Sequence, residues 1–340
     1  MQGIQKNQQY TIHIDGLTAS GQGVGRIDGF AVFVPFALPE EEVTIRVVKA
    51  QKNYAFAKLE SIVQASAERK NPLCPVFGRC GGCTLQHLSY AGQKRAKRQF
   101  VVDALQRIGG IDCAEEITQP LMGMEEPWYY RNKLSLPIGM GADERTCMGF
   151  YAPRSHRIVE TTECPLQGQS IEPLRSAVLE YIEISGASVY DETRRKGTLR
   201  HLYSRHNRKG ESMVVAVVNG DLPKPDVFKE GMLMAISGLT SLQVNRNTYA
   251  DNVIMSNDFF VLWGSDRLEM HSQGMTYDLS PASFWQVNSL KMEALYEAAL
   301  DMVDWQGTEF VIDAYCGVGS ISLPLSLINI SEPTKLRRTA

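Results

Sequence analysis

The expected fold class rests on the stretch Phe310-Val311-Ile312-Asp313-Ala314-Tyr315-Cys316-Gly317-Val318-Gly319. Three apolar residues predict a buried strand, and an acidic residue followed by Gly-x-Gly is how many α/β enzymes meet a nucleoside cofactor. The two glycines lack a Cβ, so the backbone can approach a ligand closely. An ordinary tight turn is the alternative explanation of an isolated Gly-x-Gly. The stretch predicts that a cofactor-binding domain begins near Glu309.

The spacing Asp313-x-x-x-Gly317-x-Gly319 also distinguishes between cofactors. It resembles the first motif of class I S-adenosylmethionine methyltransferases more than the Gly-x-Gly-x-x-Gly of dinucleotide enzymes, because Ser322 stands in place of a third glycine. A methyl donor is therefore favoured over NAD. The expected cofactor contacts in this loop are Asp313, Gly317, Gly319 and Ser320.

The sequence after this loop does not continue as the domain requires. Only 21 residues follow Gly319, whereas one strand-helix-strand unit needs about 30. Residues 325–340, with Pro333 and a basic end, do not suit the next strand and read as translated adapter sequence. We therefore expect these residues to be non-native and the natural protein to continue past about residue 324. The underlying DNA sequence decides this.

Composition sets broad limits on the class of protein. With 340 residues, 44% of them hydrophobic, the chain can form two or three domains with ordinary cores. No apolar run approaches the roughly 20 residues of a membrane span, and the N-terminus lacks a signal-peptide core, so we expect a cytoplasmic, monomeric protein without membrane contact. Seven cysteines, an odd number, favour a reducing compartment over a disulfide framework.

Charge leaves the choice of partner open. The net charge of -3 neither demands nor excludes nucleic acid, because local basic patches matter more than the total. Basic runs occur at residues 94–98, 194–200 and 205–209. Each could bind RNA or form solvated surface.

Residues 1–64 predict a small antiparallel, OB-like β-barrel. Apolar and polar positions alternate at residues 10–14, 30–36 and 42–49, between glycine-rich or proline-containing turns. The glycine-rich residues 21–26 are expected to form a tight turn, because no strand-then-helix pattern surrounds them. Barrels of this kind often bind RNA through one face. The expected phosphate contacts are Arg26, Arg46, Lys49, Lys52 and Lys58.

Two further regions follow along the chain. Residues 65–260 predict an α+β domain with helices at 89–108 and 171–185 and strands at 157–160 and 212–218. Gly109-Gly110 is expected to end the first helix. Residues 261–324 begin the cofactor domain, an incomplete α/β Rossmann-like fold, through an amphipathic helix at 288–303.

Four cysteines are candidate metal ligands. Cys74, Cys80 and Cys83 form a C-x5-C-x2-C pattern with two glycines before the last, and Cys164 lies in a separate Cys-Pro-Leu-Gln element. Four thiolates hold either zinc or an iron-sulfur cluster, and spacing does not separate the two. Unrelated buried thiols are the other explanation. A zinc-dependent hydrolase is disfavoured, because four thiolates leave no open position for water. Cys113 and Cys147 are expected to be packing residues.

Together these motifs resemble the bacterial RNA 5-methyluridine methyltransferases, especially those that modify 23S ribosomal RNA. The resemblance runs from about Gln9 to Leu323 and begins with a segment like a TRAM domain. Its motifs are Cys74 with Cys80-Gly81-Gly82-Cys83, Leu85-Gln86-His87-Leu88, Tyr130-Arg131-Asn132-Lys133, Gly149-Phe150-Tyr151, Ser155-His156, Cys164-Pro165-Leu166-Gln167, Ser280-Pro281-Ala282-Ser283-Phe284-Trp285-Gln286-Val287-Asn288 and Asp313-Ala314-Tyr315-Cys316-Gly317.

The resemblance implies cofactors, contacts and a partner. It implies a [4Fe-4S] cluster of structural role on Cys74, Cys80, Cys83 and Cys164. It also implies that Gln286 and Tyr315 contact S-adenosylmethionine, although a polar residue making local hydrogen bonds is the plainer explanation of Gln286. The implied partner is RNA, with 23S ribosomal RNA as the substrate.

The resemblance also implies where the reaction residues lie. Carbon 5 of uracil is a poor nucleophile, so a cysteine thiolate first adds at carbon 6 and a base later removes the carbon 5 proton. In the family this Cys and a basic Glu follow the first cofactor motif, and Cys316 matches the loop cysteine instead of the nucleophile. We therefore expect this chain alone to be inactive. A non-catalytic iron-sulfur RNA-binding module and a tRNA uracil-C5 methyltransferase are the alternatives.

Overall fold

The computed structural model describes residues 4–141, 143–306 and 309–328. It divides into two compact units, one formed by residues 4–127 with 151–156 and the other by 128–150 with 157–328, apart from the gaps just given. In the described part of the chain, no helix has the length and apolar character needed to cross a membrane. The expected non-native tail lies mostly outside the described residues.

The first unit begins with a closed five-stranded barrel, which confirms the predicted barrel. Its strands are β1 (Gln9–Leu17), β2 (Gln22–Ile27), β3 (Phe30–Pro35), β4 (Glu42–Ala50) and β5 (Tyr54–Gln64), in the order β1-β2-β3-β5-β4. Alternate residues, among them Ile14, Val32 and Ile45, are buried and fill the barrel. The expectation of a wholly antiparallel barrel is wrong, because β3 and β5 pair in parallel within the closed barrel.

The glycine-rich residues 21–26 differ from the prediction of a tight turn. Gly21, at φ +78°, forms the turn, and the residues after it form strand β2. A Cβ on Gly23 would lie 2.8 Å from the carbonyl oxygen of Ala37, and one on Gly25 would lie 2.4 Å from that of His13. These glycines therefore let neighbouring backbone approach strand β2 closely. Glycine-rich sequence is equally typical of turns, so the local sequence does not distinguish the two roles.

A helix of the predicted bounds follows the cysteine loop. Helix α1 (Tyr90–Arg107) begins after Ser89, whose hydroxyl accepts a hydrogen bond from the Gly92 amide at 3.0 Å. Gly110, at φ +66°, lies just past its end, as the Gly-Gly pair predicts. The short helix α2 (Ala114–Ile117) comes next.

The second unit is built on a seven-stranded sheet. In the order β12-β11-β10-β9-β6-β7-β8, its strands are β6 (Lys133–Met140), β7 (Thr146–Tyr151), β8 (Ile158–Glu160), β9 (Leu199–His206), β10 (Ser212–Val218), β11 (Leu239–Arg246) and β12 (Phe259–Gly264). Helices α3 (Glu172–Ser185) and α4 (Pro225–Ala235) pack together and bury an apolar core against this sheet.

A second apolar cluster of this unit contains the elements that carry the candidate site. It joins Tyr203 of β9 and Val215 of β10 to the hairpin β13 (Leu268–Ser272) and β14 (Met275–Leu279), to Trp285, and to helix α5 (Ser289–Leu300). Val318 and Leu323 pack against the same cluster, the latter from helix α6 (Ser322–Ile328).

The prediction of a strand at Phe310-Val311-Ile312 is wrong. These residues have no strand assignment, and Phe310 and Ile312 are 91% and 76% exposed. A strand forms only when a neighbour satisfies its backbone groups, and within the described residues no strand pairs with this segment. The described residues of the expected Rossmann-like region therefore form a hairpin and two helices around the second apolar cluster.

Candidate functional site

Asn132 is the centre of the candidate site. Its buried side-chain amide donates to the carbonyl oxygen of Gln286 at 2.9 Å and to the Ser289 hydroxyl at 2.7 Å. Its backbone amide donates to the Val287 carbonyl at 3.0 Å. One residue just before β6 therefore fixes the backbone at Gln286 and Val287, and Gln286 lies 154 residues further along the chain.

The neighbouring residue Arg131 binds a second sequence motif, Cys164-Pro165-Leu166-Gln167. Its amide donates to the Leu166 carbonyl at 2.8 Å, and its own carbonyl accepts from the Gly168 amide at 2.9 Å and from His206 Nε2 at 3.2 Å. The neighbouring Tyr129 amide donates to the Pro165 carbonyl at 2.7 Å. The Cys164-Pro165-Leu166-Gln167 element and the Gln286 segment are thus bound to adjacent residues, a convergence that the sequence did not reveal.

Three cations lie near this convergence, of which Arg205 is buried and Arg131 and Lys133 are half-buried. Arg205 is 1% exposed and donates from Nη2 to the Ser283 carbonyl at 2.9 Å. Burial lowers the pKa of Lys133, and the nearby charges of Arg205 and Arg131 lower it further. Among the described residues none of the three forms an ion pair with a carboxylate. Such a group of cations favours an anionic ligand such as an RNA phosphate.

The residues after Gln286 connect it to helix α5. The Asn288 side chain accepts from the Lys291 amide at 3.2 Å and so caps the helix N-terminus. Trp285 is buried against Tyr277, with ring centroids 5.0 Å apart. Near the other end of the helix, the Tyr296 hydroxyl lies 3.0 Å from that of Ser320. The structure therefore places Gln286 and Ser320, two of the predicted cofactor contacts, on segments joined to one helix.

Of the remaining predicted contacts, Asp313, Tyr315 and Gly317 are exposed and Gly319 is buried. Asp313 is exposed, and the Tyr315 side chain is 99% exposed. Gly317 and Gly319 have φ values of +54° and +79°, which glycine adopts without strain. The Gly319 amide donates to the Cys316 carbonyl at 2.7 Å, so this segment forms a turn. The structure does not bring Tyr315 into contact with the buried part of the site.

The cysteine loop belongs to the first unit. Cys74, Cys80 and Cys83 are half-buried. The Gly82 amide donates to Cys80 Sγ at 3.3 Å, and Gln86 Nε2 donates to Cys83 Sγ at 3.2 Å. Burial raises the pKa of the Cys80 thiol, so that thiol is protonated at neutral pH without a cation. The loop thus presents sulfur atoms that already receive N–H donors.

Thiols with N–H donors have the chemistry of iron-sulfur ligands, because such donors stabilise thiolate charge. Across residues 4–141, 143–306 and 309–328, however, no three His, Cys, Asp or Glu side chains come together as metal ligands. Cys164 is half-buried in the second unit. Of the two expected packing residues, Cys147 is buried as predicted, whereas Cys113 is exposed at the start of the short helix α2, which covers little surface.

The predicted RNA contacts of the barrel fall into two groups. Arg26 pairs with Asp15 at 3.1 Å, and Arg46 pairs with Glu60 at 2.6 Å. Lys49, Lys52 and Lys58 are exposed, and the described part of the chain shows no ion pair at any of them. Sequence reasoning missed three aromatic residues of the outer surface, Phe33, Tyr54 and Phe56, although their alternation with buried positions could have revealed them.

Comparison with known proteins agrees with both units. The family model of the TRAM domain matches residues 5–59. An uncharacterized RNA methyltransferase of Clostridium tetani is 41% identical over 325 residues, covering 95% of this chain and 70% of that protein. One of Listeria monocytogenes serotype 4b is 40% identical over 326 residues, covering 95% of this chain and 71% of that protein.

A solved structure is also similar. It is the crystal structure of the Pyrococcus abyssi tRNA (uracil-54, C5)-methyltransferase in complex with S-adenosyl-L-homocysteine. It matches with a TM-score of 0.70 and 26% identity, covering 94% of this chain and 71% of that chain. The fold and the relatives place the protein in the methyltransferase class of enzymes. Within that class, the chain belongs to the family of RNA methyltransferases.

Proposed function

We propose that the protein serves the transfer of a methyl group from S-adenosylmethionine to carbon 5 of uracil in RNA, with 23S ribosomal RNA as the substrate. The observation that carries this proposal is the convergence at Asn132, which holds the Gln286 segment beside one buried and two half-buried cations. The similar Pyrococcus abyssi enzyme is named for uracil C5 methylation and contains the demethylated cofactor, which supports the reaction type.

The methyl donor would be bound by two segments. The carboxamide of Gln286 can hydrogen-bond polar groups of the donor, and Tyr315 can pack on it from the loop. Asp313 supplies a carboxylate, Ser320 a hydroxyl, and Gly317 and Gly319 leave room for close approach. The donor supplies an electrophilic methyl group, and these residues orient it toward the base.

The RNA side of the reaction depends on the cations. A uridine must leave its stack before an enzyme can reach carbon 5, and basic side chains then hold the phosphates beside the extruded base. We assign that role to Arg131 and Lys133, which flank Asn132, the residue that anchors the Gln286 segment. Cys316 is exposed on the donor loop and matches the family's loop cysteine, so we assign it no nucleophilic role.

We also propose that Cys74, Cys80, Cys83 and Cys164 hold a [4Fe-4S] cluster whose role is structural. The N–H donors at Cys80 and Cys83 support thiolate ligation. Protein purified without oxygen should carry about four iron atoms per chain and absorb in the visible range. Cys83→Ser should lose that iron, whereas Cys113→Ser should keep it. A colourless, zinc-loaded protein would contradict the cluster.

The functional proposal is tested by mapping modified nucleosides. Ribosomal and transfer RNA are purified separately from cells with and without the gene that encodes this chain, and 5-methyluridine is located by mass spectrometry of fragments. We expect one or more uridines of 23S ribosomal RNA to lose the methyl group. Loss confined to transfer RNA would favour the second candidate, a tRNA enzyme, which the name of the Pyrococcus neighbour supports. Unchanged RNA would overturn both.

A further inference from the structure

The loop between β11 and β12 lines a cavity at one edge of the central sheet. The loop comprises residues 247–258, and the cavity has a volume of about 570 Å³. Strands β10 and β11 run parallel, and ligands of α/β proteins commonly bind at the carboxyl ends of parallel strands, where this loop lies. None of the lining residues is among the predicted cofactor, cluster or RNA contacts. We call this space the loop cavity.

Three buried polar side chains fix the backbone of this loop. Asn245 and Asn247 are fully buried, and their side-chain amides donate to loop carbonyl groups at 2.7 to 3.0 Å. The guanidinium of Arg200, which is also buried, donates to the carbonyl oxygens of Asn247 and Tyr249 at 2.9 and 2.8 Å. Because these contacts hold the loop without any ligand, the cavity is preformed, as sites for small chemical groups usually are.

The loop cavity combines apolar surface with acidic groups. Tyr249 and Val253 line it and are 62% and 54% exposed. Its ionisable lining residues are Arg246, Asp251 and Asp258. Across the described residues, no lysine, arginine or histidine forms an ion pair with Asp251. The negative groups therefore exceed the positive one, which favours a cationic ligand and repels the phosphates of RNA.

Arg246 shows how this part of the protein binds a cation. Its guanidinium carbon lies 4.4 Å from the ring centroid of Phe260. The same guanidinium forms ion pairs with the carboxylates of Asp221 and Asp258. An aromatic ring and carboxylates together thus hold a guanidinium group. The exposed tyrosine and aspartate of the loop cavity provide the same two components for a cation from outside the chain.

We propose that the loop cavity binds a lysine or arginine side chain of a partner protein, with its charge beside Asp251 and its stem against Tyr249 and Val253. Both side chains carry a charge on an apolar stem, which matches a cavity that is partly acidic and partly apolar. The Val253 amide donates to Asp251 Oδ1 at 3.0 Å and so orients the carboxylate. This binding site is a function additional to methyl transfer.

The test measures binding of the full chain to two acetylated peptides that differ in one residue. One peptide contains a single arginine among glycine and leucine residues, and the other contains citrulline, which has nearly the same shape without the charge. Isothermal titration calorimetry at low salt should show about fivefold tighter binding of the arginine peptide. This preference should disappear at about 1 M salt, where charges are screened. Equal affinity for the two peptides at low salt would overturn the proposal.

Variants of the chain assign this binding to the loop cavity. Tyr249→Ala should weaken binding of the arginine peptide by about fivefold, whereas Tyr249→Phe, which keeps the ring, should bind as the wild type does. Asp251→Asn keeps the Oδ1 acceptor within the loop and should weaken binding by about threefold. Asp112→Asn, at an exposed aspartate of the first unit, is the control and should have no effect. Circular dichroism establishes that each variant is folded, and wild-type affinity in both Tyr249→Ala and Asp251→Asn would overturn the site.

Competition experiments distinguish a partner protein from other occupants. If a short single-stranded RNA displaces the arginine peptide and Tyr249→Ala weakens binding of that RNA, the loop cavity belongs to RNA recognition and the proposal fails. If spermidine binds with the same dependence on Tyr249 while the arginine peptide does not bind, the site takes a free polyamine and the partner protein is overturned. The calorimetry requires no methyl transfer, so a failure of the proposed function in the mapping of 5-methyluridine leaves this test unaffected.

Discussion

The two segments predicted to bind the methyl donor differ in how their conformation is fixed. Residues 280–288 are tied by Asn132 and Arg205 to the central sheet, and Trp285 is buried beside them. In residues 309–317, Phe310 and Tyr315 are almost fully exposed. A segment whose carbonyl groups are bound by a rigid sheet is preorganised, whereas the exposed side chains of Phe310 and Tyr315 do not pack against such a support. Gln286 is thus in place before any ligand binds.

Lowering the pH should have the largest effect on the difference in conformational stability between residues 280–288 and residues 309–317. Burial lowers the pKa of His201 in β9 to about 4, and the charge of Arg200 contributes. The unfolded chain, with a His pKa near 6.5, therefore binds the proton more readily, and stability falls as pH drops from about 6.5 to about 4, by up to about 3 kcal/mol. The protection factors of residues 280–288, which correct for the slower intrinsic amide exchange at lower pH, should fall over this range, whereas those of residues 309–317 should stay low throughout.

A matched variant isolates the histidine in that experiment. His201→Gln has no titrating group, so its unfolding free energy should decline less steeply between pH 6.5 and 4 than that of the wild type. Urea titrations at several pH values measure both slopes. Identical slopes in the two proteins would show that His201 does not control the effect.

Asn132→Ala should produce the next largest effect. It removes the donors to Gln286 and Ser289 from a buried site, and we expect a loss of about 2 kcal/mol of unfolding free energy. Urea unfolding measures the loss, and hydrogen exchange should show it concentrated at residues 280–289. Asn252→Ala, at an exposed asparagine, is the control and should change stability by less than about 0.5 kcal/mol.

Asn288→Ala should have a smaller and more local effect. The variant loses the N-cap of α5, for which the expected cost is about 1 kcal/mol. Asn288→Asp keeps an acceptor at the cap and should recover most of the stability. If both variants unfold at the same urea concentration as the wild type, the cap does not support the Gln286 segment.

Tyr315→Ala should have the smallest effect on stability. The side chain is 99% exposed, so the unfolding free energy should change by less than about 0.5 kcal/mol. If Tyr315 packs on the methyl donor as we propose, the same variant should still reduce 5-methyluridine formation in cells, and Tyr315→Phe should restore it. A large loss of stability would show that the loop is already packed, contrary to the comparison.

Local patterns predicted the elements that depend on local contacts. Helix α1 occupies the expected residues because Ser89 caps it and Gly109-Gly110 follows it. Strand β10 has the predicted bounds of residues 212–218 since its apolar run is buried on both faces of the sheet. The small barrel was likewise evident from the alternation along β1, β3 and β4.

Features that depend on distant partners could not be predicted in this way. The glycines of β2 are required because the backbone of Ala37 and His13 approaches them closely. These partners lie elsewhere in the chain, so the local sequence looks the same as that of a glycine-rich turn. The apolar character of Phe310-Val311-Ile312 predicted a strand, but strand formation also requires a paired neighbour. The convergence at Asn132 joins residues more than 150 positions apart, which one sequence without relatives does not reveal.

The central claim is that the anchored Gln286 segment serves uracil methylation in RNA. The most direct measurement is the amount of 5-methyluridine at the target position in cells that lack the gene and are supplied with the wild-type gene, Gln286→Ala or Asn252→Ala. We predict that the wild type and Asn252→Ala restore the methyl group, whereas Gln286→Ala does not, although it accumulates as folded protein. Full restoration by Gln286→Ala would contradict the account.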